Sequence, residues 1–391
     1  MKRTSVFTFL FLFSASTLFP FQEKVDETLR DALKSVKEKY APDRRTAVFD
    51  VLLERKNTSL IVRGEVDNTV VKGEALNALR ASFTGEMIDS ILVLPDPRLG
   101  EKFFGIVILS VGNVRSKPGN AEELATQVLM GMVVKLLKKE GGYYYVQSSD
   151  RYLGWLDDDA IQVTDRVHVD AWASAPKVIA TGLFGMVREK PDVNSLPVCD
   201  LVVGGILKST GSAGSWFGVE LADGRTGYVE RSFVEEYDLW KASRKLNGEH
   251  VERSAKMLVG VPYLWGGTSV KGMDCSGFTK TVFRMNGMEL NRDANQQAVM
   301  GEEVNTGDNF QNLRKGDLLF FGRKAAGDKP ERITHVAIYL ENKGFIHSSG
   351  RVRFGSFEPA SPYYDDSNLR RFVRARRVIA TTQIPEIRKN N

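Results

Sequence analysis

Residues 272–278 read Gly-Met-Asp-Cys-Ser-Gly-Phe, and the stretch that follows carries Phe278, Val282, Phe283 and Met285 at helical spacing. Asp274 has the chemistry of an N-cap and Gly287 that of a helix stop, so Cys275 falls in the first turn of a helix. Unpaired N–H groups and the helix dipole at that position favour the thiolate, which is the nucleophilic form of cysteine. A cysteine met alone reads as a small buried hydrophobe. Two histidines further along the chain reverse that reading.

Gly316 to Gly322 (GDLLFFG) has the composition of a buried strand, Thr334 to Leu340 (THVAIYL) that of a neighbour, and Phe345 to Ser349 (FIHSS) that of the next. Alternation puts His335, Ala337 and Tyr339 on one face. A three-residue turn, Glu341 to Lys343, sets His347 opposite Ala337 and diagonal to His335, at roughly 7–8 Å between backbones. An even-numbered turn would point His347 away. Cys275, His335 and His347 then supply a nucleophile, a base and a group that orients the base. Zinc is the rival use of one cysteine and two histidines, but it needs a third or fourth ligand and closer pairs, and neither is visible in the sequence. No metal and no other cofactor is expected. His168 and His250 fall in linker-like stretches and read as surface residues.

In order along residues 245–378, PYLWGG (262–267), DCSGF (274–278), GDLLFF (316–321), THVAIYL (334–340) and FIHSSG (345–350) resemble the catalytic domain of the NlpC-type family of papain-like cysteine peptidases. The resemblance implies cleavage of bacterial peptidoglycan stem peptides at amide bonds between D-γ-glutamyl and a diamino acid. It makes Cys275 the nucleophile, His335 the general base and later acid, and His347 the orienting third member. The Cys275 N–H, helped by Tyr263, is the candidate oxyanion site.

Upstream, the chain repeats itself at an offset of 73 residues: Val114-Arg115-x-Lys117-Pro118 returns as Val187-Arg188-x-Lys190-Pro191, Gly131 as Gly204, and Gly154-Trp155 as Gly227-Tyr228. Short β-type runs between Gly, Pro and Ser turns predict a small five- or six-stranded barrel in each copy. Both copies, near 111–165 and 178–237, resemble the bacterial SH3-type barrels that accompany wall hydrolases. Tyr143, Tyr144, Tyr145 and Trp216 read as barrel core or rim. The combination is similar to γ-D-glutamyl-L-diamino acid endopeptidases that require a free N-terminal L-Ala. By that resemblance Glu123 and Tyr152 bind the terminal ammonium; their repeat equivalents are Leu196 and Arg225, so the pair belongs to the first barrel alone. Asp274 and Ser276 are further candidates to hold the ammonium and the ligand backbone. A buried carboxylate left without its ammonium would disfavour blocked substrates.

The 391 residues hold 54 Lys and Arg against 49 Asp and Glu, a mild excess that calls for no nucleic-acid partner, and two cysteines, too few for a disulfide scaffold. Hydrophobic residues at 42% and charged residues at 26% exclude collagen-like and low-complexity chains. Lys2 and Arg3, the apolar run Val6 to Phe13 and the small residues Ser14 to Ser16 read as an export signal over 1–22, too short in its apolar part to span a bilayer. The expected organisation is a multidomain α+β chain: an N-terminal α+β domain (23–110), two SH3-like β-barrels (111–165 and 178–237), one connecting helix from Asp238 to Gly260, and a papain-like α+β catalytic domain (245–380). The tail from Thr381 reads as unstructured, and Cys199 as a partly buried free thiol. The expected setting is the periplasm or cell envelope, with peptidoglycan stem peptides or muropeptides as partners, no stable membrane insertion, and a monomer. An amidase or acyltransferase using the same triad, and a non-catalytic wall-binding protein, are the alternatives.

Overall fold

The computed structural model describes residues 26–379; the leader read over 1–22 and the tail from Thr381 lie outside the described residues. By their contacts the described residues form two units, 26–42 with 49–93, and 43–48 with 94–379.

In the first unit Asp26 accepts from the Thr28 N–H and caps Glu27–Tyr40 (α1), whose Leu29, Leu33 and Val36 are buried. Phe49–Lys56 (β1) and Ser59–Val66 (β2) form an antiparallel hairpin that turns at Asn57 with φ 54, a left-handed backbone that asparagine tolerates. Thr69–Arg80 (α2), capped by Asn68, leads to Met87–Val93 (β3), which runs parallel to β2. Leu33, Leu60, Val62, Ala75 and Leu79 form the core beneath both helices.

The second unit contains two seven-stranded antiparallel sheets. Phe104–Val107 (β4), Val111–Arg115 (β5), Leu124–Leu129 (β6), Val133–Glu140 (β7), Tyr143–Gln147 (β8), Leu153–Asp157 (β9) and Ile161–Thr164 (β10) make the first. Arg166–Ser174 (α3) leads into Lys177–Ala180 (β11), Phe184–Arg188 (β12), Pro197–Val202 (β13), Ile206–Ala213 (β14), Trp216–Glu220 (β15), Thr226–Glu230 (β16) and Val234–Glu236 (β17). Each strand of the second barrel starts 73 residues after its counterpart (104 and 177, 161 and 234), so the repeat seen in the sequence governs every strand. Even the turn bond recurs: the Arg115 guanidinium donates to the Glu122 carbonyl at 2.7 Å, and that of Arg188 to the Ser195 carbonyl at 2.6 Å. Gly131 has φ +79, and a Cβ there would stand 2.2 Å from the Ile206 carbonyl oxygen, so the barrels meet where only glycine fits.

Two sequence expectations need correcting. The N-terminal α+β domain expected over 23–110 gives up its last strand, β4, which pairs with β7 and β10 and makes a seventh strand of the first barrel, as its repeat β11 does in the second. A short apolar strand carries no mark of its partner, and β10 arrives only at the end of the barrel. The single connecting helix is two, Tyr237–Ser243 (α4) and Gly248–Met257 (α5), because Asn247 starts a new helix by accepting the His250 N–H at 2.9 Å. Tyr144 and Trp216 are buried, while Tyr145 tilts onto Trp155 with 5.1 Å between ring centres.

Thr268–Ser269 (β18) and Gly272–Met273 (β19) precede Cys275–Met285 (α6) and the short Ala294–Gln297 (α7). Glu302–Val304 (β20), Leu318–Arg323 (β21), Arg332–Tyr339 (β22), Gly344–Ser349 (β23), Arg351–Ser356 (β24) and, after Asp366–Arg371 (α8), Phe372–Arg377 (β25) form an antiparallel sheet in the order β20-β25-β21-β22-β23-β24. Val336, Ile338 and Ile346 pack with Phe278 and Val282 of α6; the opposite face is an aromatic cluster of Phe321, Tyr339, Phe345 and Phe357. Among the described residues no helix is long and apolar enough to cross a membrane.

Candidate active site

Asp274 caps α6 by accepting the Gly277 N–H at 2.7 Å, which makes Cys275 the first helical residue and leaves its own N–H without an intrahelical acceptor. The thiol residue is 8% exposed, and the N–H groups of Ser276 and Val336 point at its sulfur. The second donor has a topological origin. The β22–β23 ladder runs Tyr339↔Phe345 and Ile338↔Ile346 and stops; two steps further would pair Val336 with Ser348. Instead the Val336 N–H turns to the sulfur and the Ser348 hydroxyl donates to the Met273 carbonyl at 2.7 Å. Cys275 therefore sits against the split between the two strands, beside the residue that follows His335.

The turn between β22 and β23 holds Glu341 to Lys343, since the Leu340 N–H bonds to the Gly344 carbonyl at 2.9 Å, and the two imidazoles share a face as that parity requires. His335 Nε2 and His347 Nδ1 are 2.8 Å apart. Strand alternation places both rings on the aromatic side of the sheet, where Phe321 lies 5.6 Å from His335 and Phe345 lies 5.3 Å from His347. Burial lowers both pKa values, His335 to about 3 with help from His347 and Arg371, and His347 to about 4. Burial, reinforced by the Asp274 charge, pushes the Cys275 thiol up to about 12 in spite of its two N–H donors. The helix start expected to favour a thiolate is thus overruled by desolvation, and the ligand-free site rests as neutral thiol and neutral imidazoles.

Tyr263 lies close enough to Cys275 and Asp274 for their charges, after burial, to help raise its phenol to about 12. Asp274 and Ser276 stand beside the thiol, but both are fully engaged. Asp274 Oδ2 accepts from Arg292 Nη2 at 2.5 Å and from the Gly266 N–H at 2.9 Å; Oδ1 accepts from Gly277 N–H, from Arg292 Nη1 at 3.1 Å and from the Ser276 hydroxyl at 3.2 Å. Five donors saturate a carboxylate, so the role foreseen for Asp274 and Ser276, holding a ligand ammonium, gives way to one of building the site. Glu123 is exposed and accepts the Trp265 indole N–H at 2.8 Å, which ties the first barrel to the PYLWGG loop. Tyr152 is buried, and its hydroxyl donates to Asp293 Oδ2 at 3.0 Å; burial and that carboxylate push its phenol well above the usual range. Glu123 and Tyr152 thus both touch the catalytic domain, each through a different residue of it.

The residue missed in the sequence is Arg292, 2% exposed, which forks onto Asp274 and also donates to Thr126 Oγ1 of the first barrel at 3.1 Å. Its partner lies 18 residues earlier, and nothing local distinguishes it from a surface arginine. Arg45, also missed, reaches Asp293 at 2.6 Å from the 43–48 segment. Cys199 is a free, partly buried thiol that burial raises to about 11.

A thiol at a helix start, set against the strand that carries one of two hydrogen-bonded imidazoles, on a helix packed on an antiparallel sheet, defines a papain-like cysteine hydrolase. The NlpC/P60 family profile matches residues 260–377, and that of the bacterial dipeptidyl-peptidase SH3 domain matches residues 114–161. Relatives include dipeptidyl-peptidase 6 of Lysinibacillus sphaericus, 28% identical over 271 residues that cover 66% of this chain and 93% of that protein. A gamma-D-glutamyl-L-lysine dipeptidyl-peptidase of Bacillus subtilis (strain 168) is 32% identical over 237 residues, 58% of this chain and 72% of the relative. A crystal structure of an NlpC/P60 family protein from Bacillus cereus ATCC 10987 shares the fold with a TM-score of 0.60 over 71% of this chain and 99% of that one, at 21% identity. The chain belongs to the NlpC/P60 family of cysteine peptidases.

Proposed function

We propose that the protein is an exported endopeptidase of the bacterial envelope that hydrolyses the amide between D-γ-glutamyl and an L-diamino acid in peptidoglycan stem peptides, and that it requires a free N-terminal L-Ala. The observation that carries the reading is the 2.8 Å contact between His335 and His347, with the N–H of Val336, the residue after His335, pointing at the Cys275 sulfur. Cys275 is the nucleophile. Its proton passes to His335 Nδ1 as sulfur attacks the amide carbon, because His335 Nε2 is already engaged with His347. For Nδ1 to accept, Nε2 must carry hydrogen and donate to His347 Nδ1, which places the His347 proton on Nε2, an atom buried without a partner among the described residues. That cost is tolerated in the only tautomer that leaves His335 a base. With the thiol pushed up and the imidazole pushed down, thiolate formation is coupled to attack and does not precede it. The Cys275 N–H and the Tyr263 hydroxyl receive the oxyanion; His335 then protonates the leaving amine, and water releases the γ-D-glutamyl acyl group from sulfur.

The free-amine requirement is assigned to Glu123, whose exposed carboxylate reaches the loop bearing Tyr263 and Trp265 from the first barrel. Tyr152 steadies that side of the site through Asp293. Tripeptide L-Ala-γ-D-Glu-L-diamino acid and its N-acetyl form, supplied separately, test the assignment. The free amine should be cut about fivefold faster, the scale set by an ion pair to an exposed carboxylate; equal rates would end it.

A further inference from the structure

A cavity of about 430 Å³ opens at the far end of α6, away from the thiol, between the second barrel, α4 and α5. Its volume is in the range of small-molecule sites. Ile206, Tyr237, Trp240 and Met257 give it apolar walls; of its three guanidiniums Arg244 is paired with Glu235, which leaves Arg253 and Arg284, and its other carboxylate, Glu289, is paired with Lys280. Arg284 is in the last turn of α6, nine residues after Cys275, which is ~14 Å along a helix axis.

Arg284 is the unusual member. Its guanidinium lies over the bare backbone of Gly204, 3.7 Å from where a Cβ would stand, and among the described residues it makes neither a hydrogen bond nor a salt bridge. The carboxylates whose charges it feels, Asp150 and Glu289, are both committed to Lys280, Asp150 at 3.0 Å. Desolvation lowers its pKa in spite of them. Arg284 is partly exposed at the cavity, so its N–H donors are open to an acceptor that arrives from solvent. The other guanidinium without a carboxylate partner among the described residues, Arg253, is exposed and adds positive charge at the cavity.

We propose that this cavity binds a small organic carboxylate, with its apolar body on Trp240, Met257 and Ile206 and its carboxylate forked by Arg284. Carboxylate fits better than phosphate because one planar guanidinium matches two oxygens, while Trp240, Met257 and Ile206 offer an apolar surface beside it. The site is separate from the peptidase site and does not depend on the substrate assigned there.

The test is calorimetric titration of the full chain with N-acetyl-L-leucine, acetate and inorganic phosphate. N-acetyl-L-leucine should saturate the protein below ~10 mM and bind at least tenfold more tightly than the other two, and Arg284→Met should weaken it at least tenfold. Because Arg284 satisfies no partner, Arg284→Met without ligand should keep its Tm within about 4 °C or raise it. Met257→Asp, at a residue 43% exposed, is a second variant that should fold and should also abolish binding by setting a carboxylate against the ligand. Unaltered affinity in either variant, phosphate binding as tightly as N-acetyl-L-leucine, or no saturation by any probe would each overturn the proposal.

Discussion

Arg292 carries more of the site than any residue legible in the sequence. It neutralises Asp274, which caps α6, and reaches Thr126 across the barrel contact, so one side chain ties the helix start that bears the Cys275 thiol to the first barrel. Removing one partner of a buried ion pair strands the other charge. Arg292→Met should therefore lower stability by about 3–5 kcal/mol in chemical denaturation; a loss under about 1 kcal/mol would show that Asp274 needs no counter-charge. Cys275, His335 and His347 could be read directly because their types are rare here and their spacing obeys strand and helix periods. Asp274 and Ser276 were legible as neighbours of the thiol but not in their role, since what occupies a carboxylate depends on an arginine that tertiary folding delivers.

Among the elements, the split between β22 and β23 does the positioning. A ladder that ended two pairs later would use the Val336 N–H and close the place where the sulfur lies. Four residues separate THVAIYL from FIHSS, so the shared face of the two imidazoles follows only once Gly344 pairs with Leu340 and leaves a three-residue turn. The split does not, because hydrophobic alternation continues through it unchanged. The loop from Tyr263 to Gly267 is held just as tightly: Gly266 has φ +80, and a Cβ there would stand 2.1 Å from the Leu124 carbonyl oxygen of β6. Gly266→Ala must displace Tyr263 and Trp265 from the first barrel. We expect a stability loss of about 2 kcal/mol or more together with a raised KM; wild-type values for both would mean that the loop does not need the barrel.

For the whole molecule, two buried neutral histidines set the response to acid. Their folded pKa values, about 3 and about 4, lie below the ordinary 6.5, so the unfolded chain binds more protons between those limits. Their contribution is complete above pH 6.5 and declines as pH falls toward 4, at up to about 1.4 kcal/mol per pH unit for each, less for His335, which keeps some contact with solvent. Denaturation between pH 7 and 5 should show that slope, and His347→Asn should make it shallower; an unchanged slope would mean that His347 is not buried neutral. The offset of 73 residues marked both barrels, though each has seven strands where five or six were expected; β4 and the break between α4 and α5 escaped because partner choice and a local cap are not written in hydropathy.

The account rests on a thiol made reactive by a coupled imidazole pair, and turnover of L-Ala-γ-D-Glu-L-Lys by the full chain and its Cys275→Ala variant tests that most directly. Wild type should release L-Ala-γ-D-Glu and the variant should release none above background, a loss of at least ~1,000-fold. Equal release by both proteins would contradict it.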